Sequence, residues 1–185
     1  MNDRMHDLIR RFRVALPKVR EWINQYMAAH VDLARPVSSL GFERLATCYP
    51  GGLLDSAKVV WVDRVQFPPV DKFGLPEFSG MLQMPFDGIT FKDTFFLRKG
   101  LQSESIHFHE MVHVVQWAKL GVDNFLLAYG LGLAQSGYEQ SPLEAMAYTL
   151  QHQFDSGVAL QDLQKVIEEQ TDAIWSRAAP VVLAT

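Results

Sequence analysis

The stretch SIHFHEMVHVVQW, residues 105–117, limits what this chain can fold into more than any other. Ile106, Phe108, Met111, Val112, Val114, Val115 and Trp117 put apolar side chains on nearly every side of a helix. A helix with no polar face belongs inside the molecule. Yet this one carries His107, His109, Glu110 and His113, and titratable groups taken out of water need partners. The spacing supplies one. On a helix, His113 lies about 40° round from His109 and about 6 Å along the axis, so both imidazoles can bind one metal ion from the same face. Glu110 stands about 100° from His109 and about 60° from His113. There it flanks the ion without ligating it and reaches a water bound to it. Zinc best suits imidazole and carboxylate donors. An open fourth position would hold water of lowered pKa, and Glu110 is placed to take its proton as general base. His107, about 160° round from His109, is read as a hydrogen-bonded structural histidine. Gln116, one turn past His113, is read as helix packing or as support for a ligand.

Around this helix the chain divides into three parts. Residues 3–29 place Leu8, Phe12, Leu16, Val19, Ile23 and Met27 at spacings of three and four, which predicts an amphipathic helix. Pro17 is expected to kink or split it. Arg4, Arg10, Arg11, Arg13, Lys18 and Arg20 give it a basic face. Such a face can bind membranes or partners, but Asp3, Asp7 and Glu21 dilute it, and a docked helix with a solvated basic face is expected. The middle is β-rich: AKVVWVDRV (57–65) and GITFKDTFFLR (88–98) read as strands. Between them lies a long loop broken by prolines and glycines. From about Ser103 the chain turns helical, with helices near 103–119, 122–136, 141–156 and 159–177. Strands first and helices after predict an α+β fold: an N-terminal helix, a small mainly antiparallel sheet, and a helical C-terminal half. Residues 1–185 are read as a single domain, with residues 1–30 a helical extension packed on it.

Composition narrows the function classes. A net charge of −4 gives no general pull toward nucleic acid. No apolar run is long enough to span a bilayer or to serve as a signal peptide. The lone cysteine, Cys48, forms no internal disulfide. A cytoplasmic protein is expected, and no feature of the sequence specifies an oligomeric state.

A hydrolytic zinc site needs a third protein ligand. Glu139, Glu144, His152 and Asp155 lie downstream, and Cys48 upstream. In SPLEAMAY (141–148), Ser141, Pro142 and Glu144 also fit an N-cap, a first helical residue and the acidic member of a capping box. That role would explain Glu144 with no metal at all.

His109-Glu110-x-x-His113, with Glu144 early in a later helix, resembles the gluzincin metallopeptidases. The phrases HEMVHVVQW and SPLEAMAY are most similar to small bacterial proteins of this type, and the likeness spans roughly residues 88–150. It implies a minimal zincin-like fold with His109, His113 and Glu144 as zinc ligands and Glu110 as base. It also implies a peptide or protein substrate, bound as an added strand along an edge strand beside the active-site helix. GITFKDTFFLR is the natural edge, with Ile89, Phe91, Asp93, Phe95 and Leu97 expected on one face. Many gluzincins carry an acidic residue four positions after the ligand glutamate, where this chain has Tyr148. The histidines must then be oriented otherwise, by a backbone carbonyl or Asp93. Tyr148 shares a face with Glu144 and is a candidate oxyanion donor, as is Tyr138. Peptide deformylases pair the same helix motif with a cysteine ligand, but ATCYPGG does not resemble their cysteine segment. The resemblance therefore leads to a zinc peptidase. Its rival is a metal-stabilised regulatory or partner-binding domain without turnover.

Overall fold

β-branched and aromatic residues crowd Lys58–Val62 (β2) and Thr94–Arg98 (β4), and these become the two central strands of a four-stranded sheet. The computed structural model describes residues 3–184. Arg35–Pro36 (β1) and Gly88–Phe91 (β3) are the edges, in the order β1-β2-β4-β3. β2 runs parallel to β4, and the other two pairings are antiparallel. Val59, Val60, Phe95, Phe96 and Leu97 are fully buried, as expected where helices cover both faces of a sheet.

Residues 88–98 are a hairpin rather than the single strand expected. Lys92 adopts a left-handed φ of 59° and closes a two-residue turn with Asp93. The polar Lys-Asp pair interrupts the apolar run, and folding back there pairs the two apolar arms. The turn also overturns the expected facing. Ile89 is opposite Phe96 and Thr90 opposite Phe95, and residues directly opposite share a face. Gly88 and Thr90 therefore lie with Phe95 and Leu97, while Ile89 and Phe91 lie with Phe96. Asp93 sits in the turn, its carboxylate accepting from Thr94 Oγ1 at 3.0 Å.

Helix α1 (Asp3–Ala29) covers the Phe91–Phe96 face. The Tyr26 ring lies 4.6 Å from Phe96, and Trp22 meets Phe91 edge-on at 5.8 Å. Pro17 does not split it. The buried Ala15, Leu16 and Val19 on either side hold the backbone helical through packing, which outweighs one missing hydrogen bond. On the basic face, Arg10, Arg11 and Arg20 make ion pairs. Arg10 meets Asp7 at 2.5 Å, Arg11 meets Asp7 at 2.8 Å and also Glu77, and Arg20 meets Asp123 at 3.3 Å. Arg11 also donates to the Gly74 carbonyl at 3.0 Å, tying the long segment between β2 and β3 against α1.

Two short helices, Glu43–Cys48 (α2) and Gly51–Ser56 (α3), precede β2. The long helix α4 (Glu104–Ser136) lies on the other face of the sheet and carries the histidine motif. It breaks at Gly121, whose φ of 71° and ψ of 172° leave the helical region. The two helices expected over 103–136 are its two halves. Beyond the break, Phe125 folds back to stack on Trp117 at 3.9 Å. At Gly130 a Cβ would overlap the Phe12 ring, so glycine lets α1 and α4 meet closely. Pro142–Asp155 (α5) and Leu163–Leu183 (α6) both pack on α4. α6 starts and ends later than the expected 159–177. Among the described residues, no helix is long and apolar enough to cross a membrane.

Candidate metal centre

The first half of α4 is buried on all sides, as its composition demands. His109, Glu110 and His113 are each less than 8% exposed. Across from them, α5 begins at Pro142 and brings Glu144, 3% exposed, to the same point. The two Nε2 atoms lie 3.2 Å apart, and Glu144 Oε2 lies 3.5 Å from that of His109 and 3.4 Å from that of His113. Among the described residues these three side chains form the one group placed to share a metal ion. Glu139, His152, Asp155 and Cys48 are outside it.

Glu144 is not a helix cap. Ser141 makes no side-chain capping bond, and its Oγ is buried without a partner. The Ser141 N–H is taken by the Tyr138 carbonyl at 3.1 Å. The carboxylate turns inward instead. Its Oε1 accepts from Tyr129 Oη at 2.7 Å, whereas its Oε2 is buried with no hydrogen bond. An orphaned carboxylate oxygen facing two imidazole nitrogens is a donor set that could hold a cation.

The outer nitrogens explain why the inner ones converge. His109 Nδ1 lies 3.0 Å from Gln151 Oε1, and His113 Nδ1 lies 2.8 Å from Gln116 Oε1. Each amide is oriented by its own NH2 group. Gln151 Nε2 donates to Ser105 Oγ at 2.9 Å, and Gln116 Nε2 donates to the Leu143 carbonyl at 3.0 Å. The amide oxygens therefore face the rings, each Nδ1 carries the proton, and each Nε2 offers its lone pair to the shared point. Neither the backbone carbonyl nor the Asp93 expected in this role supplies it. Gln151 was not singled out by sequence, although it lies seven residues after Glu144 on the same helical face. Gln116, three residues after His113, was.

Glu110 lies beside this point and has its own supports. Thr90 Oγ1 donates to its Oε2 at 2.6 Å. A Cβ at Gly88 would overlap Oε1, so only glycine leaves the carboxylate room. Both come from edge strand β3, which the Trp117 indole anchors by donating to the Thr90 carbonyl at 3.0 Å. The roles of Thr90, Gly88 and Tyr129 had no local signature, since each depends on an approach across the fold.

Charge in the cluster is strongly coupled. Burial raises the Glu110 carboxyl above its ordinary value, against the pull of His109, His113 and Thr90. Burial lowers His113, but the Glu144 and Glu110 carboxylates outweigh it and lift the imidazole to about 9. Burial likewise opposes ionisation of Glu144, and the two histidines override it, holding the carboxyl well below the usual range. The carboxylates and imidazoles of the cluster therefore favour positive charge at the point they share.

Two spaces meet here. An apolar cavity of about 70 Å³ runs inward, walled by Phe12, Phe67, Phe78, Phe86, Trp117 and Phe125. A more polar cleft of about 240 Å³ runs outward past Met84, Asp87, Tyr148 and Gln151. Gly88, His109, Glu110 and Tyr138 border both. The Tyr148 ring packs on His109 at 4.7 Å and is 41% exposed. Tyr138 meets Phe86 edge-on at 5.4 Å. His107 lies apart, as expected of a structural histidine. Its Nδ1 is 2.8 Å from the Ser103 carbonyl, and its ring packs among Phe42, Trp61 and Phe95.

Compared with protein-family models, curated proteins and solved structures, the chain matches none.

Proposed function

We propose that this protein is a zinc-dependent peptidase in which Glu110 is the general base. The observation that carries the reading is the position of that carboxylate. It is buried beside the His109–His113–Glu144 cluster, held by Thr90, and borders both the inner cavity and the outer cleft. A structural metal site needs no such group and closes its coordination with protein donors. Here three donors converge among the described residues.

Zinc held by His109, His113 and Glu144 would supply a Lewis acid for water and for a peptide carbonyl. The chain's own residues do the rest. Glu110, raised by burial, accepts a proton from water and passes it to the leaving nitrogen. Thr90 fixes the Oε2 edge of the carboxylate and Gly88 leaves space at Oε1. The Asp87 carbonyl accepts from the Arg98 N–H, so alternation turns the Gly88 backbone away from β4. Its N–H and C=O are then positioned to pair with an extended peptide. Tyr138 and Tyr148, at the mouth, are the hydroxyls available to a developing oxyanion.

The test is Glu110→Gln in zinc-loaded protein, assayed against a peptide library. The variant should keep its zinc and lose hydrolysis by about 10²- to 10⁴-fold. A variant that holds zinc and cleaves at the wild-type rate defeats the mechanism. Absence of cleavage by the wild type across the library favours a metal-stabilised binding domain.

A further inference from the structure

All three inward-facing donors are backed by uncharged groups. His109 is backed by the Gln151 amide, His113 by the Gln116 amide, and Glu144 by the Tyr129 hydroxyl. A carboxylate does stand at the far end of one chain: Ser105 Oγ donates to Asp155 Oδ2 at 2.9 Å. It reaches His109 only through Ser105 and then the amide of Gln151. The amide separates the acid from the imidazole.

This matters because an imidazole whose Nδ1–H points at a carboxylate becomes a stronger donor at Nε2. The partner's negative charge favours partial transfer of the proton away from the ring, and the ring's electron density shifts toward the metal. A neutral amide fixes the same tautomer and orientation with much less of that push. Tyr129 acts in the same sense on the third ligand: as a hydrogen-bond donor it draws charge away from the metal-facing oxygen of Glu144.

We propose that Gln116 and Gln151 are positioning residues that aim both imidazoles at one cation while, being uncharged, leaving that cation electron-poor and loosely held. The proposal rests on the metal-binding reading of the cluster but not on hydrolysis. A strongly polarising cation suits a site that activates water, and a modest hold on it is the physical consequence.

Gln151 is the residue to test, because it is half-buried and its partner can adapt. In Gln151→Glu the Ser105 hydroxyl can rotate to donate to the new carboxylate. In Gln151→Leu the acceptor is gone. Zinc affinity is measured by competition with a chromophoric chelator, with melting of the metal-free protein as a control for the fold. Gln151→Leu should weaken zinc binding by about 10- to 100-fold, and Gln151→Glu should tighten it by about 10-fold. A purely structural role predicts the same direction for both variants, since each breaks the native amide pair. Weakening in both, or no change in either, overturns the proposal. Wild-type protein that binds no zinc overturns the metal reading as well. Gln116→Leu, in which the buried amide is replaced by an apolar group, should weaken binding in parallel, and unchanged affinity there removes Gln116 from the proposal.

Discussion

At the scale of single residues, the site is a balance of buried charges, and two consequences can be measured. Glu144 points at His109 and His113 rather than at its own helix end. Loss of a cap costs about 1 kcal/mol of stability and would leave metal binding alone. Loss of a ligand should weaken zinc at least as much as loss of a supporting group, about 100-fold or more. Glu144→Gln is therefore expected to lower zinc affinity by that much. An unchanged affinity with only a lower melting temperature would mean that Glu144 is no ligand. The second consequence concerns pH. His113 is lifted from 6.5 to about 9, so it contributes stability that is complete below 6.5 and is lost as pH rises through about 9. Glu144, depressed from 4.5, contributes stability above that value and loses it as pH falls through its lowered pKa. Metal-free protein should thus become less stable between pH 6.5 and 9, and zinc-loaded protein much less so, because the cation takes the proton's place. Chelator-treated and zinc-loaded samples melted across that range make the comparison. Identical slopes would show that His113 and Glu144 are not coupled in this way.

At the scale of elements, two turns decide how the site is assembled. The Lys92–Asp93 turn folds β3 back along β4 and makes β3 the sheet edge that faces Glu110. The break at Gly121 lets the second half of α4 return Phe125 to Trp117 and Tyr129 to Glu144. Its φ of 71° with ψ of 172° lies in a region that is essentially confined to glycine. No neighbouring atom would meet a Cβ there, so a substitution isolates backbone strain from packing. Gly121→Ala should destabilise the protein by about 1–3 kcal/mol, read from denaturant melts. An effect below a few tenths of a kcal/mol would mean that the break is not under backbone control.

At the scale of the molecule, the sheet lies between α1 and α4, and the candidate metal site sits where α4 meets β3 and α5. Most of the core lies elsewhere: Tyr26, Val59, Val60, Phe95, Phe96, Phe108, Phe154 and Ile167 are all buried in one continuous cluster. Such a core does not depend on a metal to form, unlike the small domains in which metal binding and folding are one event. Removal of zinc by a chelator should accordingly lower the melting temperature, as loss of any ligand specific to the native state does, while helical circular dichroism at 25 °C is retained. Complete unfolding on chelation would assign the metal a structural role.

The sequence by itself determined the parts that depend on local periodicity. The 3.6-residue repeat placed His109 and His113 on one face with Glu110 beside them. The all-round apolar surface required that helix to be buried, and Pro142 marked the start of α5. It also left Glu144 with two roles, because a carboxylate three residues after Ser141 can close a capping box or turn away from it. Tertiary structure decided between them, since only the packing of α5 on α4 brings that side chain to within 3.5 Å of both imidazoles. The same holds for Thr90, Gly88, Tyr129 and Gln151, whose partners lie 15 to 46 residues away along the chain. Periodicity specifies which side of an element a residue occupies. Which residue of another element it meets is set by how the elements pack, and a single turn, at Lys92, was enough to reverse the facing of a strand.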